Sequence, residues 1–152
     1  MADWKKRFIE KAFEIAAWSK DRNRHVGAVI VKGNRIVSQG YNGFPCGCDD
    51  DADERHERPA KYLFSEHAER NAIYTACRLG VSVEGCKIYV TDFPCADCAR
   101  GIIQSGIIHL VAPEPDFSHE RWGDSWKAAQ EMLLETGVEI EFYDRDEYKG
   151  SN

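Results

Sequence analysis

His67 and Glu69 stand two residues apart in Ser65-Glu66-His67-Ala68-Glu69, and Pro94-Cys95-Ala96-Asp97-Cys98 follows after one strand-like stretch. Two separate helices must therefore deliver side chains to one point. Cys95 and Cys98 are three apart, so on one helical turn both sulfurs face the same way and can share a metal. His67 supplies a third donor. Positions offset by two point apart on a helix, so His67 and Glu69 suit one ligand plus one reactive carboxylate better than two ligands. Three protein ligands leave the fourth tetrahedral position of a zinc ion to water, whose pKa falls from about 16 to about 7, and Glu69 is then available to move the proton. Helix N-termini favour thiolate over thiol at Cys95 and Cys98, and Pro94 suits such a start. The competing readings are a redox C-x-x-C pair and a structural zinc. In the latter, Cys46, Cys48, His56, Cys77 or Cys86 fills the fourth position and closes the site to water.

At 152 residues the chain fits one domain, residues 1–152, able to bury a core without disulfide staples. Six cysteines without a secretory signal, with C-x-x-C among them, read as thiols and metal ligands rather than a disulfide frame. The start, Met1-Ala2-Asp3-Trp4-Lys5-Lys6, leads into an amphipathic helix with no apolar run long enough for a signal peptide or membrane span. A cytoplasmic protein with no membrane partner is the expectation. The formal charge of −6 argues against a nucleic-acid polymer as main substrate, because phosphate neutralisation supplies most of that affinity. Basic clusters at Lys20 to Arg24 and Arg55 to Lys61 still accommodate a single phosphate group, so a small anionic substrate fits better.

Hydrophobic periodicity sets out the elements. Residues 4–19 place Phe8, Ile9, Ala12, Phe13, Ile15 and Ala16 on a helical stripe, and strand-like runs follow at Val26 to Val31 and Arg35 to Gln39. Lys32-Gly33-Asn34 reads as the tight turn that makes these two strands antiparallel. A long loop, Gly40 to Glu66, leads to the His67 helix, which Gly80 ends as a left-handed cap. Strand Lys87 to Thr91, the Cys95 helix, strand Ile107 to Ala112, a helix from Arg121 to Glu135 and strand Val138 to Phe142 complete the chain. That order implies an α/β fold, a three-layer α/β/α domain with a mixed, roughly five-stranded sheet and the ligands at one sheet edge. Trp122 and Trp126, four apart with Met132 and Leu133 beyond, read as core or as a subunit interface.

The segments Val26-Gly27-Ala28-Val29-Ile30-Val31, Gly40-Tyr41-Asn42-Gly43-Phe44-Pro45, Gly47-Cys48-Asp49-Asp50, His67-Ala68-Glu69 and Phe93-Pro94-Cys95-Ala96-Asp97-Cys98-Ala99 resemble the deoxycytidylate deaminase family, over about Ser19 to Ala112. The resemblance implies the cytidine deaminase-like fold and zinc-dependent conversion of dCMP and water to dUMP and ammonia. It places Zn2+ on His67, Cys95 and Cys98 and makes Glu69 the group that carries a proton from water to N3 of the cytosine ring and then to the departing amine. By resemblance Asn42 contacts the sugar, and Ser19 and Lys20 meet the substrate phosphate. Arg78 matches an arginine found near nucleotide-binding loops of some members. The bland alternatives are a turn asparagine at Asn42, a solvated helix end at Ser19 and Lys20, and a helix cap at Arg78.

The family also places regulatory nucleotides with Mg2+ near the acidic run Asp49, Asp50, Asp51, Asp53 and Glu54, and an extra structural zinc in some members, for which Cys46, Cys48 and His56 are the candidates here. Relatives assemble as homo-oligomers, commonly hexamers. Two features depart from the pattern. Arg70 stands where many members carry leucine, and Pro113-Glu114-Pro115-Asp116-Phe117-Ser118-His119 lacks the tyrosine that relatives place near the phosphate. Deamination of another cytosine or modified nucleobase or nucleotide therefore stays open, as does a non-catalytic zinc-stabilised nucleotide-binding domain. A transfer-RNA adenosine deaminase is disfavoured by the acidic charge.

Overall fold

The computed structural model describes residues 1–148. Its elements run α1 (Trp4–Ala16), β1 (Gly27–Lys32), β2 (Arg35–Tyr41), α2 (Asp53–His56), α3 (Lys61–Phe64), α4 (Ala68–Leu79), β3 (Lys87–Val90), α5 (Ala96–Gln104), β4 (His109–Pro113), α6 (Gly123–Glu135) and β5 (Glu139–Tyr143), with a short 3-10 turn at Arg145–Glu147. The five strands form one sheet in the order β2-β1-β3-β4-β5. β1 is antiparallel to both β2 and β3, whereas β3, β4 and β5 are parallel, so the sheet is mixed as expected. Only Gly33 of the hairpin turn is left-handed (φ 60), the pattern of a type II′ turn with glycine at its first central position.

Alternation along the strands builds the layers. Val29, Val31, Tyr89 and Val111 point to the face covered by Phe8, Ile9, Ala12 and Phe13 of α1. Their neighbours Ala28, Ile30, Ile88, Val90, Leu110 and Ala112 point the other way, into a larger core with Ala72 and Ala76 of α4, Ala99 and Ile102 of α5, and Ala129 and Leu133 of α6. One helix therefore covers one face and three cover the other. Trp126 is buried in that second core and Trp122 packs against it, which settles the pair as core-facing.

Two glycines fix how closely the helices lie on the sheet. A Cβ on Gly27 would stand 2.0 Å from the Ala12 carbonyl oxygen of α1, and one on Gly40 would stand 2.4 Å from the Ala72 amide and 2.6 Å from the Ala68 oxygen of α4. These are backbone atoms, so no rotamer change relieves the clash. The glycines of the V-G-A and G-Y-N-G segments are thus sites of helix approach.

The boundaries differ from expectation in places where main-chain hydrogen bonds decide. α1 stops at Ala16 because the amides of Trp18 and Ser19 bond back three residues, to Ile15 and Ala16, and tighten the last turn. Ile107 donates to Ile102 as part of the α5 terminus, so β4 begins only at His109. The stretch expected as an irregular loop from Gly40 to Glu66 instead extends β2 to Tyr41 and contains α2 and α3. Phe44 sits at its centre with ring centroids 4.8 Å from His56 and 6.0 Å from Phe64, and Arg55 lies over Phe64.

Gly40→Ala and Gly27→Ala are each expected to destabilise the fold by about 1–3 kcal/mol or more, because backbone must shift. Gly43→Ala, with open space around its would-be Cβ, is expected to stay within about 0.5 kcal/mol of wild type. Urea titration of the three variants checks this ranking.

Candidate functional site

α4 and α5 begin in the same way. His67 and Cys95 occupy the N-cap positions, with extended backbone (φ −84, ψ 153 and φ −72, ψ 173), and Cys98 lies in the first turn of α5. Gly43 and Glu66 exchange two main-chain hydrogen bonds, 3.1 and 2.8 Å, which seat the chain just before His67 on the G-Y-N-G segment. The Nδ1 atom of His67 then lies 3.4 Å from each of the Cys95 and Cys98 sulfurs. A nitrogen about 2.0–2.1 Å and a sulfur about 2.3 Å from a tetrahedral zinc stand roughly 3.6 Å apart. The three donor atoms all lie within 4.8 Å of one another, so the residues fit the ion they are expected to hold.

The protonation of the cluster carries the same message. Hydrogen bonding to Cys98 lowers the Cys95 thiol against the effect of burial, and the same bond with burial raises Cys98. Two buried sulfurs sharing a proton are the arrangement that a divalent cation converts into two thiolates. Glu69, in the first turn of α4 and buried, has its carboxyl pushed up to about 7 by desolvation, with His67 opposing. A buried carboxyl poised near neutrality suits proton transfer in both directions.

A cavity of about 300 Å3 opens over these groups. His67, Glu69 and Cys95 line it, with Trp122 and Trp126 on one wall. The Trp122 ring meets His67 edge-on at 6.3 Å, and the Trp126 ring meets His119, another wall residue, at 5.4 Å. Four cations line the cavity: Arg24, Arg58, Lys61 and Arg121. Arg24 is paired with Asp92 at 2.5 Å and Lys61 with Asp21 at 2.9 Å, whereas Arg58 and Arg121 make no ion pair among the described residues.

The remaining sequence candidates separate. Asn42 lines the cavity, its Oδ1 accepting from the Val26 amide and its Nδ2 donating to the Arg24 carbonyl, both 2.9 Å. Ser19 and Lys20 are not brought to the cavity. The Ser19 hydroxyl donates to the Asn42 carbonyl at 2.7 Å, and Lys20 turns outward to Asp50 at 3.0 Å and Asp51 at 3.8 Å. Arg78 is exposed in the last turn of α4, where it complements the helix dipole away from the cavity. Cys46, Cys48 and His56 do not converge: both thiols are exposed, and the His56 Nε2 lies 2.6 Å from the Asp50 carbonyl oxygen. His67, Cys95 and Cys98 form the one such donor cluster among the described residues, with no fourth residue joining it. The acidic run is engaged by cations, Asp53 with Arg22 at 2.6 Å as well as Asp50 and Asp51 with Lys20.

Sequence reasoning named Asn42, His67, Glu69 and Cys95 on this wall but not its cations as individual residues. The basic clusters did signal three of them, Arg24, Arg58 and Lys61, because both clusters fold onto the cavity mouth. Nothing local marks Arg121, which arrives from the segment before α6.

A family model described as the cytidine and deoxycytidylate deaminase zinc-binding region matches residues 2–113. An uncharacterized deaminase in the luxG 3' region of Aliivibrio fischeri is 49% identical over 142 residues, covering 92% of this chain and 93% of the relative. Human deoxycytidylate deaminase is 40% identical over 138 residues, covering 87% of this chain and 74% of the relative. The crystal structure of dCMP deaminase from the cyanophage S-TIM5 in complex with dCMP and dUMP superposes with a TM-score of 0.77 at 26% identity, covering 94% of this chain and 99% of that one.

Asp21 ties the basic segment to α3 at the cavity mouth. Burial pushes its carboxyl up, but bonds from the Asn23 amide, Lys61 and the Arg24 amide outweigh it and leave the group below its ordinary value. A carboxyl depressed in the fold contributes stability above its unfolded pKa and loses it as pH falls through the folded value. The stability advantage of wild type over Asp21→Asn is therefore expected to be full above about pH 5 and to shrink below about pH 4, read as melting temperature against pH.

Proposed function

Because the chain belongs to the cytidine and deoxycytidylate deaminase zinc-binding family, we propose that it hydrolyses dCMP to dUMP and ammonia. The observation that carries this reading is the convergence of His67, Cys95 and Cys98 beside buried Glu69 at a cavity whose wall holds Arg58 and Arg121, neither in an ion pair among the described residues. His67, Cys95 and Cys98 would hold Zn2+, which when bound would acidify water and so supply a nucleophile at neutral pH. Glu69 accepts a proton from that water and gives it to N3 of the pyrimidine. As oxygen bonds to C4, the carboxyl takes the proton left on that oxygen and passes it to the 4-amino group, the C4–N bond breaks, ammonia leaves and C4 becomes the carbonyl of dUMP.

Asn42 is the sugar contact in this reading. Each end of its amide uses one hydrogen bond on the main chain, which leaves one acceptor site and one donor site for a hydroxyl. Ser19 acts through Asn42, holding its carbonyl. The phosphate goes to Arg58 and Arg121, whose guanidinium forks match phosphate oxygens. Mg2+ with a regulatory nucleotide belongs, in this reading, not to this step but to the acidic run, where Lys20 meets Asp50 and Arg22 meets Asp53.

The proposal extends to a cytoplasmic homo-oligomer. Cys46, Cys48 and Cys77 are exposed free thiols, as a reducing compartment permits, and no helix among the described residues is long and apolar enough to cross a membrane. Exposed Trp18 packs against exposed Tyr41, 6.2 Å between ring centroids, and offers a second copy an apolar face.

Ammonia release from cytosine, deoxycytidine, CMP and dCMP, measured on zinc-loaded wild type and variants, tests the reading. dCMP is the expected preferred substrate, with Glu69→Gln lowering kcat about 10²–10⁴-fold while zinc is retained. Arg58→Ala and Arg121→Ala are each expected to raise KM for dCMP about tenfold or more and to leave turnover of deoxycytidine unchanged. No ammonia from any of the four compounds overturns the proposal, and equal loss on deoxycytidine removes the phosphate assignment.

A further inference from the structure

Arg70 lies beside the catalytic carboxylate in sequence but points away from the cavity, and its side chain is only 23% exposed. Its Nε and one terminal nitrogen both donate to a single oxygen of Glu66, at 2.7 and 2.6 Å. That same Glu66 Oε1 also accepts the main-chain amide of His67 at 3.0 Å. The other terminal nitrogen of Arg70 reaches Asp97 of α5 at 3.8 Å, and Asp97 is the residue just before Cys98. Arg100 pairs with the other carboxylate oxygen of Asp97. Among the described residues this is the ion-pair connection between the two helices that carry the metal donors. A chain of contacts thus runs from Gly43 through Glu66 and Arg70 to Asp97, passing behind the three donor atoms.

We propose that Arg70 is a positioning residue for the metal: by tying Glu66, which fixes the His67 main chain, to Asp97 on α5, it holds His67 at ligand distance from Cys95 and Cys98 and so sets the affinity of the site for Zn2+. The inference rests on the reading that these three residues hold zinc. Its physical basis is that a tetrahedral site tolerates only a few tenths of an ångström in donor position, while His67 and the cysteines arrive on different helices. A leucine at position 70 fills similar space on α4 but links neither carboxylate. A lysine keeps the charge without the fork that grips Glu66 while reaching Asp97.

The test is competition for Zn2+ between the metal-free protein and a chromophoric chelator. Arg70→Leu is expected to raise the zinc dissociation constant about 10- to 100-fold, with Arg70→Lys between it and wild type. In zinc-saturated protein, kcat for dCMP falls with KM unchanged, because Arg70 does not touch substrate. A purely structural role would lower the melting temperature of metal-free and zinc-loaded protein alike without moving zinc affinity. Should Arg70→Leu fail to fold, Asp97→Asn at an exposed position weakens the arm to α5 and is expected to weaken zinc binding severalfold, whereas Arg100→Gln, which removes only the Asp97–Arg100 pair within α5, is expected to leave zinc affinity unchanged. Wild-type zinc affinity in Arg70→Lys and Asp97→Asn, or in Arg70→Leu, overturns the inference while leaving the zinc reading intact. Wild-type protein that takes up no zinc overturns both.

Discussion

Three donor atoms on two helices must meet within a few ångströms, and most of the molecule's geometry can be traced to that demand. α4 reaches the site only because Gly40 lets its backbone lie directly on β2, and the Gly43–Glu66 bridge then fixes where the chain turns into His67. α5 starts just beyond the end of β3, so the central strand aims Cys95 at the same point. Both helices place a metal donor at the N-cap, the position that a serine, threonine or aspartate ordinarily fills, and neither has a side-chain cap of its own. Such a cap is worth about 1 kcal/mol per helix. Ser125 from α6 offsets part of this for α5 by accepting the Ala96 amide at 2.9 Å. The positive ends of the two helix dipoles in turn favour anionic sulfur.

The charge of the molecule shows how a global property and a local one separate. The net −6 argues against binding a polyanion, yet the cavity wall gathers four cations. Two of these are paired in place with Asp92 and Asp21, and the other two make no ion pair among the described residues. Outside the cavity, Lys20 and Arg22 bind the acidic run that precedes α2. The basic and acidic stretches therefore act as a clasp between the segment after α1 and the insert before α4. In the fold Lys20 of the expected phosphate-binding pair meets Asp50 and Asp51 of the acidic run, while Ser19 bonds the Asn42 carbonyl.

Much of the architecture was legible because strand and helix periods are local. Alternation at residues 28–31, 88–90 and 110–112 assigns each side chain to its layer without tertiary information, and the Gly33 turn fixes the first pairing. The donor set was legible for a related reason: spacing within each motif is itself helical geometry. Substrate contacts were harder, because they depend on which loop side folds inward. Ser19 and Lys20 follow α1 directly, and the tightened helix end turns Ser19 to the Asn42 main chain and Lys20 to solvent. Arg121 and Trp122 join the wall only through packing of α6 on the core, which no short window encodes.

The open coordination position follows from topology. A closed structural zinc needs a fourth donor, and the chain has candidates in number. Cys86 precedes β3 and Cys95 follows it, so a strand of about 13 Å holds the two at opposite ends of the central strand. Cys77 lies near the far end of α4 from His67, about 15 Å along the axis and on the exposed side. Cys46 and Cys48 are exposed in the insert, and His56 is held there by Phe44 and the Asp50 carbonyl. Each alternative ligand is thus kept away by an element whose length or packing is fixed for other reasons. The donor set is bounded instead by buried Glu69 and opens into the cavity, so it faces a carboxyl and a volume of about 300 Å3 rather than another cysteine.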